Sequence, residues 1–317
     1  MSYLFRMSVV FDFEAGKGFH FSSAFARRLG AEVSGDQVLL PETLGKGFIQ
    51  EVYLDEGLSL CLHHYTLREE LILRRHGTGE TEVLTMKFDA RRGCQVEFGT
   101  SNFFSEVVIP PGEPINFLVV VMTREWLLGL LQSQGEAAAM EDTIRNSPSF
   151  FLYEGMTVEM EQVLKRISLI DAATRLRVLL YQIRAQELIY LLMARLLSRE
   201  RSVSLPVDPE DVKRIYEVRE SILADLSVPP SLPQVARQIG MSLTKMKQLF
   251  RQTFGDSIYN YFQVERMNEA ARLLKTLTVS QVGYQIGFSN LSHFARVFEK
   301  HHQIKPKRYK DALEEIP

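Results

Sequence analysis

Hydrophobic and polar positions along the chain change their spacing once, close to Met122. Before that point, six short runs rich in β-branched and aromatic residues alternate with turn sequences such as DEG, GTGE and PPGEP. Short strands at this spacing predict an antiparallel β-sandwich or β-barrel. Ahead of them, Ser22–Gly30 has the pattern of a short helix. In chain order the runs are FIQEVYL, LSLCLHHYT, VLTMKFDA, CQVEF, SEVVI and INFLVVVM.

Beyond Met122, apolar residues recur every three or four positions, which predicts helices. We expect a short helix at Glu125–Leu131 capped by Thr123, a second at Thr157–Ile170 and a long one at Ala172–Arg199. The long helix has a wide apolar stripe, which has to pack on the protein's own sheet or on a second subunit. Of these two possibilities we favour a homodimer.

The polar, proline-bearing segment RERSVSLPVDP predicts a linker, and everything after it has helical spacing. The expected fold class is therefore α+β with two domains. Residues 1–200 form the first domain, β-rich over 1–122 and helical over 123–200. Residues 201–209 form the linker, and residues 210–317 form an all-α domain.

Two stretches near the C-terminus repeat one another: QVARQIGMS at 234–242 and QVGYQIGFS at 281–289 share six identities. In each copy a glycine (Gly240, Gly287) ends a first helix and a serine (Ser242, Ser289) caps a second. This plan predicts two tandem helix–turn–helix motifs, at about 231–254 and 279–301, whose second helices enter the major groove of DNA. A structural bundle with a basic surface is the alternative.

The outer faces of the two second helices keep polar and basic side chains. Arg binds guanine at two acceptors and Gln does the same with adenine, while Lys and Ser anchor phosphates. The candidate DNA-binding residues are Thr244, Lys245, Lys247, Gln248 and Arg251 in the first copy, and Asn290, Ser292, His293, Arg296 and Lys300 in the second.

Charge is distributed unevenly behind a formal net charge of −2. Residues 231–310 carry 13 Lys or Arg and 4 Asp or Glu, whereas residues 1–230 carry 24 and 32. A basic module on an acidic body indicates a polyanionic partner, here double-stranded DNA.

Residues from about Ser231 to Lys310 resemble the DNA-binding domain of AraC/XylS-type transcription regulators. The second half carries the most specific positions, among them Gly287-Phe288-Ser289, Phe298 and Tyr309. One departure is Gln303, where a glycine is common in the family. By this resemblance the base-reading positions are Thr244, Lys247 and Gln248 in the first copy and Leu291, Ser292, His293 and Arg296 in the second.

The resemblance also implies a first domain built as a cupin-like antiparallel β-barrel followed by dimerisation helices. Such a domain senses a small-molecule effector and changes how the DNA-binding domain meets a promoter or operator. RNA polymerase is the further partner implied. The residues do not decide between activator and repressor; activator is the working expectation. The stretch RVLLYQIRAQELIYLLMARLL is similar to the corresponding helix of siderophore-responsive, pyochelin-regulator-type members, so a ferri-siderophore is the suggested effector.

A pocket in the first domain needs aromatic and apolar residues with a few polar groups. Metal chemistry is not expected there, because the adjacent His63 and His64 point to opposite faces of a strand and no His-x-His pair occurs. We therefore predict no metal, no cofactor and no enzyme activity. The alternative is a cupin-like or metal-dependent enzyme with an accessory nucleic-acid-binding bundle. Candidate ligand-binding residues are Tyr53, His63, Tyr65, Arg74, Lys87 and Phe103.

The chain has no run of eighteen apolar residues and no signal-peptide pattern at its N-terminus, so no membrane association is expected. The two cysteines, Cys61 and Cys94, form neither a metal-type spacing nor a disulfide framework. Both features are typical of a cytoplasmic protein.

Overall fold

The computed structural model describes residues 8–16, 18–77, 81–90, 95–132, 138–198 and 208–314. The chain divides into two compact units, Met1–Lys213 and Arg214–Pro317. Residues 201–207 of the expected linker lie outside the described residues, and Pro209 already begins a helix.

The first unit is built mainly from strands. Two sheets are present in its described part: one of eight strands, in the order β11-β8-β7-β10-β5-β4-β3-β2, and one of three, in the order β1-β6-β9. All pairings are antiparallel except that of β1 with β6, which is parallel. The strands are β1 Val9–Glu14, β2 Glu32–Ser34, β3 Gln37–Leu39, β4 Gly45–Asp55, β5 Leu58–Leu67, β6 Leu71–His76, β7 Val83–Asp89, β8 Gln95–Thr100, β9 Ser105–Ile109, β10 Pro114–Thr123 and β11 Phe151–Gly155.

The six predicted strands are confirmed as β4, β5, β7, β8, β9 and β10. The expected cupin-like barrel is not confirmed, because both sheets keep two edge strands among the described residues and neither closes on itself. The sequence patterns also missed β1, β2, β3, β6 and β11, the last of which lies inside the part expected to be helical.

Both faces of the larger sheet are buried under hydrophobic cores. Successive side chains of a strand point to opposite sides, so one strand contributes side chains to both cores. In β5, Leu60 belongs to one hydrophobic core and Cys61 to the other. Helices cover the first face, while the three-stranded sheet and one helix cover the second. The helices of this unit are α1 Phe21–Leu29, α2 Arg124–Leu131, α3 Ala138–Asn146, α4 Val158–Ser168 and α5 Arg177–Leu197.

The helix expected at Glu125–Leu131 begins at its predicted cap, Thr123, and the helix expected at Thr157–Ile170 begins just after Thr157, which proves to be its cap. The hydroxyls of Thr123 and Thr157 accept hydrogen bonds from the first turns of α2 and α4. The long helix α5 starts later than the expected Ala172, because the carboxylate of Asp171 accepts hydrogen bonds from Ala173 N and Thr174 Oγ1 and holds a turn there. Hydroxyl and carboxylate groups of this kind satisfy backbone donors that lack a helical partner.

The second unit is all-α in its described part, as predicted. None of the helices that the structure describes is long and apolar enough to cross a membrane. The helices are α6 Pro209–Leu223, whose first turn precedes the boundary at Arg214, α7 Leu232–Ile239, α8 Leu243–Phe254, α9 Ile258–Leu273, α10 Val279–Gln285, α11 Leu291–His302 and α12 Pro306–Glu314.

Candidate nucleic-acid interface

The first sequence copy folds as two helices, α7 and α8, joined by a tight turn. Gly240 ends α7 with φ of 68°, in the left-handed region. The hydroxyl of Ser242 then accepts a hydrogen bond of 3.3 Å from Lys245 N and caps α8. Buried Met246 and Phe250 fix the inner side of α8. This is the predicted helix–turn–helix arrangement.

The second copy repeats the plan in α10 and α11. Thr278 and Gln281 form a capping box at the start of α10, and Gly287 adopts φ of 79° after its end. Buried Phe294 and Phe298 of α11 pack on α10 and α9 in one hydrophobic core. Both expected motifs are therefore present.

The expected cap at Ser289 is wrong, because Asn290 caps α11. Its side-chain oxygen accepts a hydrogen bond of 3.0 Å from His293 N. The turn of the second copy is one residue longer, so the capping position moves from Ser289 to the next residue. In both copies the cap then lies eight residues before the buried phenylalanine, Phe250 or Phe298.

All five candidates on α8 are exposed: Thr244, Lys245, Lys247, Gln248 and Arg251. The side chains of Lys247 and Arg251 form no ion pair with any acid that the structure describes. Exposed cationic side chains that form no ion pair within the protein are available to bind phosphates or guanine.

The candidates on α11 divide between two sides of the helix. Ser292 and Arg296 lie on its exposed outer face. Asn290, His293 and Lys300 instead border a groove between α11 and α9. The ring of His293 also meets the edge of Phe288, with 5.5 Å between the ring centroids.

Helix α9 connects the two motifs and contacts α8, α10 and α11. Its 16 residues span about 24 Å at about 1.5 Å per residue. The buried Arg266 donates from Nε to the carbonyl oxygen of Ile286 at 2.7 Å, and its guanidinium lies 4.1 Å from the centroid of Phe288. Burial lowers the pKa of this guanidinium. Arg266 thus fixes the turn that precedes α11.

Arg266 was missed by the sequence patterns, although a signal for it exists. It follows Phe262 by four residues and precedes Ala270 by four, both of which are buried on the inner face of α9. A charged residue inside an apolar helical stripe indicates a buried side chain with dedicated partners.

The candidate ligand-binding residues of the first unit do not all meet. Three of them gather around Phe117: the His63 ring stacks on it at 4.0 Å, Tyr65 Oη lies 3.4 Å from His63 Nδ1, and Lys87 Nζ is 5.8 Å from the Phe117 centroid. His63 and Tyr65 are buried. Lys87 also lies 3.3 Å from a carboxylate oxygen of Glu97.

The other three candidates lie elsewhere in the first unit. Arg74 pairs with Glu106 at 2.8 Å and with Asp12 at 3.5 Å in an exposed ion cluster. Tyr53 is exposed and contacts His20, and Phe103 is buried against Phe151. Among the residues with described positions, no group of three His, Cys, Asp or Glu side chains is placed to hold a metal ion.

The geometry defines a double helix–turn–helix domain, and comparison with known proteins gives its type. Residues 235–312 match the family model described as a helix-turn-helix domain. The chain is 30% identical to the arabinose operon regulatory protein of Escherichia coli over 132 residues, 40% of this chain and 44% of that protein. It is 39% identical to the regulatory protein PchR of Pseudomonas aeruginosa over 85 residues, 26% of this chain and 29% of that protein.

A third relative is the xylose operon regulatory protein of Escherichia coli, 25% identical over 111 residues, 34% of this chain and 27% of that protein. The chain thus spans less than half the length of these curated relatives. The expected resemblance is confirmed: the C-terminal domain is a helix–turn–helix domain of the AraC/XylS type.

Among solved structures, an AraC-type regulator from Chromobacterium violaceum is 24% identical and covers 35% of this chain and 100% of that chain, with a TM-score of 0.32. ToxT from Vibrio cholerae is 14% identical and covers 80% of this chain and 98% of that chain, with a TM-score of 0.31.

Proposed function

We propose that this chain regulates transcription by binding specific DNA sequences through α8 and α11, in response to a small molecule sensed by the first unit. The observation that carries the proposal is the repetition of one helix–turn–helix plan, in which each second helix exposes polar and basic side chains. The AraC/XylS type of the domain supports it.

The connecting helix supports binding at two successive sites on the same DNA. Two helices that read base edges, here α8 and α11 and called the reading helices, contact one face of B-DNA about 34 Å apart when a rigid spacer joins them. The length of α9 accounts for about 24 Å of that separation. In this proposal Gln248 and Arg296 contact bases, while Lys245 contacts a phosphate and so does Lys247, which the resemblance had given as a base-reading position.

Genome-wide binding of the full chain, followed by affinity measurements on a recovered site and on unrelated DNA, tests the proposal. The variants are Lys247→Ala, Arg296→Ala and, as a control with the same charge change, Lys275→Ala at an exposed position outside both reading helices. Arg296→Ala should lower affinity for the recovered site by about 1–3 kcal/mol and weaken the preference for it.

Lys247→Ala should lower affinity on both DNAs and reduce the salt dependence. Equal effects of Arg296→Ala and Lys275→Ala would contradict base reading by α11. Neighbouring genes at the binding peaks, together with transcription measured with RNA polymerase, would distinguish the proposed activator from a repressor. We place this activity in the cytoplasm.

The outer side of α5 supports a homodimer. Ile183, Tyr190 and Leu197 follow one another at intervals of seven residues and are 49%, 69% and 38% exposed. Their helix already buries its other side against the sheet. A seven-residue apolar repeat left exposed on a helix matches the seam of a paired helix.

Sedimentation of an Ile183→Glu/Tyr190→Glu variant tests the dimer, with Tyr284→Glu as a control because Tyr284 is an exposed tyrosine of the second unit. We expect the double variant to be monomeric and the control to remain dimeric. A double variant that sediments like the wild type would exclude this side of α5 as the interface.

The effector site is proposed around Phe117, where His63, Tyr65 and Lys87 meet. A cation beside two polar aromatic groups is suited to an anionic, ring-bearing ligand, and a ferri-siderophore is the candidate. Calorimetric titration of ferric siderophores into wild type and Lys87→Met tests it. Loss of binding in the variant is expected, and equal affinity would place the ligand elsewhere.

A further inference from the structure

A groove of about 430 Å³ runs between α9 and α11 in the second unit. Gln263 and Arg266 border it from α9, and His293, Val297 and Lys300 border it from α11. Phe288 lies in it beneath the Arg266 guanidinium. Because Arg266 holds both the ring and the preceding carbonyl, the shape of this groove is fixed by packing.

The groove opens on a flank of α11, away from its outer face. Consecutive residues of a helix lie about 100° apart around its axis. Arg296 is exposed and does not border the groove, whereas the next residue, Val297, does. The groove therefore lies about a quarter-turn from the face that Ser292 and Arg296 form.

The electrostatics of the groove favour an anion. Its lining includes Arg266, Lys300 and two histidines, and none of the residues that the structure places around it is Asp or Glu. The ammonium of Lys300 has no ion-pair partner within the described part of the chain. Likewise, only Nε of the Arg266 guanidinium donates a hydrogen bond to a described residue.

Hydrogen-bonding groups line the same groove. The Gln263 side chain donates to Tyr259 Oη at 3.0 Å. Its other polar atom, assigned as Oε1, is buried without a partner among the described residues. Since the two ends of an amide are assigned from their hydrogen bonds, this terminus is able to present either a donor or an acceptor to an occupant.

We propose that this groove holds one sugar–phosphate strand of the DNA, with Lys300 and the free nitrogens of Arg266 donating to phosphate oxygens. The proposal rests on the proposed function. An α-helix with its side chains is about 10–12 Å wide and fills a major groove of about 12 Å, so each flank of the helix faces a phosphate strand. α9 supplies the second wall that clamps that strand.

The proposal divides the candidate residues at α11 into those that contact bases and those that contact phosphates. In this proposal the exposed Ser292 and Arg296 contact base edges, while Asn290, Lys300 and also His293, which the resemblance had given as a base-reading position, act through the phosphate strand. Three residues predicted to bind DNA thus contribute affinity that is the same for every sequence, because phosphates carry no sequence information.

The test compares the full chain with three new variants and with Arg296→Ala, on the recovered site and on unrelated DNA, over a range of salt concentrations. Gln263→Glu adds a negative charge to the groove with almost no change of shape. Asn268→Asp is its control, because it adds the same charge at an exposed position of α9 outside the groove. Lys300→Ala removes one exposed cation and does not disturb the core.

Gln263→Glu should weaken binding about tenfold or more on both DNAs, and Asn268→Asp less than about twofold, because charge repulsion falls with distance and screening. Lys300→Ala should reduce the slope of log affinity against log salt by about 0.9. The ratio of affinities for the two DNAs should stay unchanged in both groove variants and fall in Arg296→Ala.

Three results would overturn the proposal. If the groove variants bind like the wild type while Arg296→Ala loses preference, the strand lies elsewhere and the proposed function stands. If Lys300→Ala changes the preference between DNAs, this flank reads bases. If the wild type binds no DNA, both proposals fall.

Calorimetry with inorganic phosphate and a nucleoside monophosphate, without DNA, distinguishes a strand from a free anion. No saturable binding below about 1 mM is expected, since a single anion reaches only part of the groove. Tighter binding that Gln263→Glu abolishes would assign the groove to a free anion instead.

Discussion

Gly240 and Gly287 occupy equivalent turns of the two motifs but differ in what surrounds them. Both have positive φ, 68° and 79°. A Cβ added to Gly240 would meet no atom within 4 Å, whereas one added to Gly287 would lie 1.8 Å from the backbone oxygen of Ser227. Replacing each glycine by alanine therefore separates backbone strain from steric overlap.

The loss of unfolding free energy expected in each alanine variant follows from this geometry. An L-residue in the left-handed region costs about 1–2 kcal/mol, which is the whole expected effect of Gly240→Ala. Gly287→Ala adds an overlap with backbone that cannot rotate away, and overpacking of this kind costs about 1–3 kcal/mol more. We expect Gly287→Ala to lower the unfolding free energy by about 2–5 kcal/mol in total.

Thermal unfolding of the full chain, observed by circular dichroism and by fluorescence, measures the difference. The single tryptophan, Trp126, lies in α2, so its fluorescence follows the first unit. Circular dichroism also follows the helices of the second unit. For a domain of about 100 residues, 1 kcal/mol shifts the midpoint by about 4–8 °C. The Trp126 transition should not move in either variant.

Equal midpoints for the two variants would refute the reasoning. That result would mean that the segment around Ser227 moves away without cost and does not fix the turn at Gly287. A shift of the Trp126 transition in either variant would show that the substitution acts beyond its own unit.

Gln303 ends α11 in the left-handed region, with φ of 58°. Gln303→Gly should therefore raise the unfolding free energy measured by urea titration by about 1 kcal/mol. An unchanged unfolding free energy would mean that contacts of the Gln303 side chain stabilise the fold by as much as the backbone strain destabilises it. Although much of the Tyr53 side chain is exposed, desolvation by its neighbours, followed by the charge of the Glu51 carboxylate, raises its pKa to about 12. The ultraviolet difference titration between wild type and Tyr53→Phe should show almost no tyrosinate from this residue at pH 10.5, and a midpoint near 10 would contradict the effect of desolvation and of the Glu51 charge. Burial also raises the pKa of the Cys61 thiol, so in a Cys94→Ser background a thiol reagent should react only after denaturation; fast labelling of the folded protein would contradict its burial.

The sequence patterns recovered the elements whose signals are local. Alternating β-branched residues located six strands, the Thr123 cap located the start of α2, and apolar spacing located α4. The doubled sequence located both helix–turn–helix motifs, because the turn glycine and the buried phenylalanine lie within one short segment. Only the capping residue of α11 was misplaced, by the one-residue insertion that made Asn290 the cap.

Features that depend on distant segments were not predictable in this way. β1 pairs in parallel with β6, some sixty residues further on, and a parallel pair leaves no turn signal between its strands. β11 has five residues and lies between helices. Arg124, at the start of α2, is of a residue type usually found on the surface. It is nevertheless buried and donates hydrogen bonds to the carbonyl oxygens of Thr81 and Ser147.

The exposed side chains of the two reading helices and the residues that hold those helices in place are different sets. Gln248, Ser292 and Arg296 form no hydrogen bond or ion pair with any described residue, whereas Arg266 and Gly287 fix the turn before α11. Substitutions at such surface positions change stability by about 0.5 kcal/mol or less. After duplication of the whole gene, a few mutations at these exposed positions are therefore able to give one of the two proteins a new DNA sequence to bind. Selection meanwhile keeps the residues that hold the helices in place unchanged.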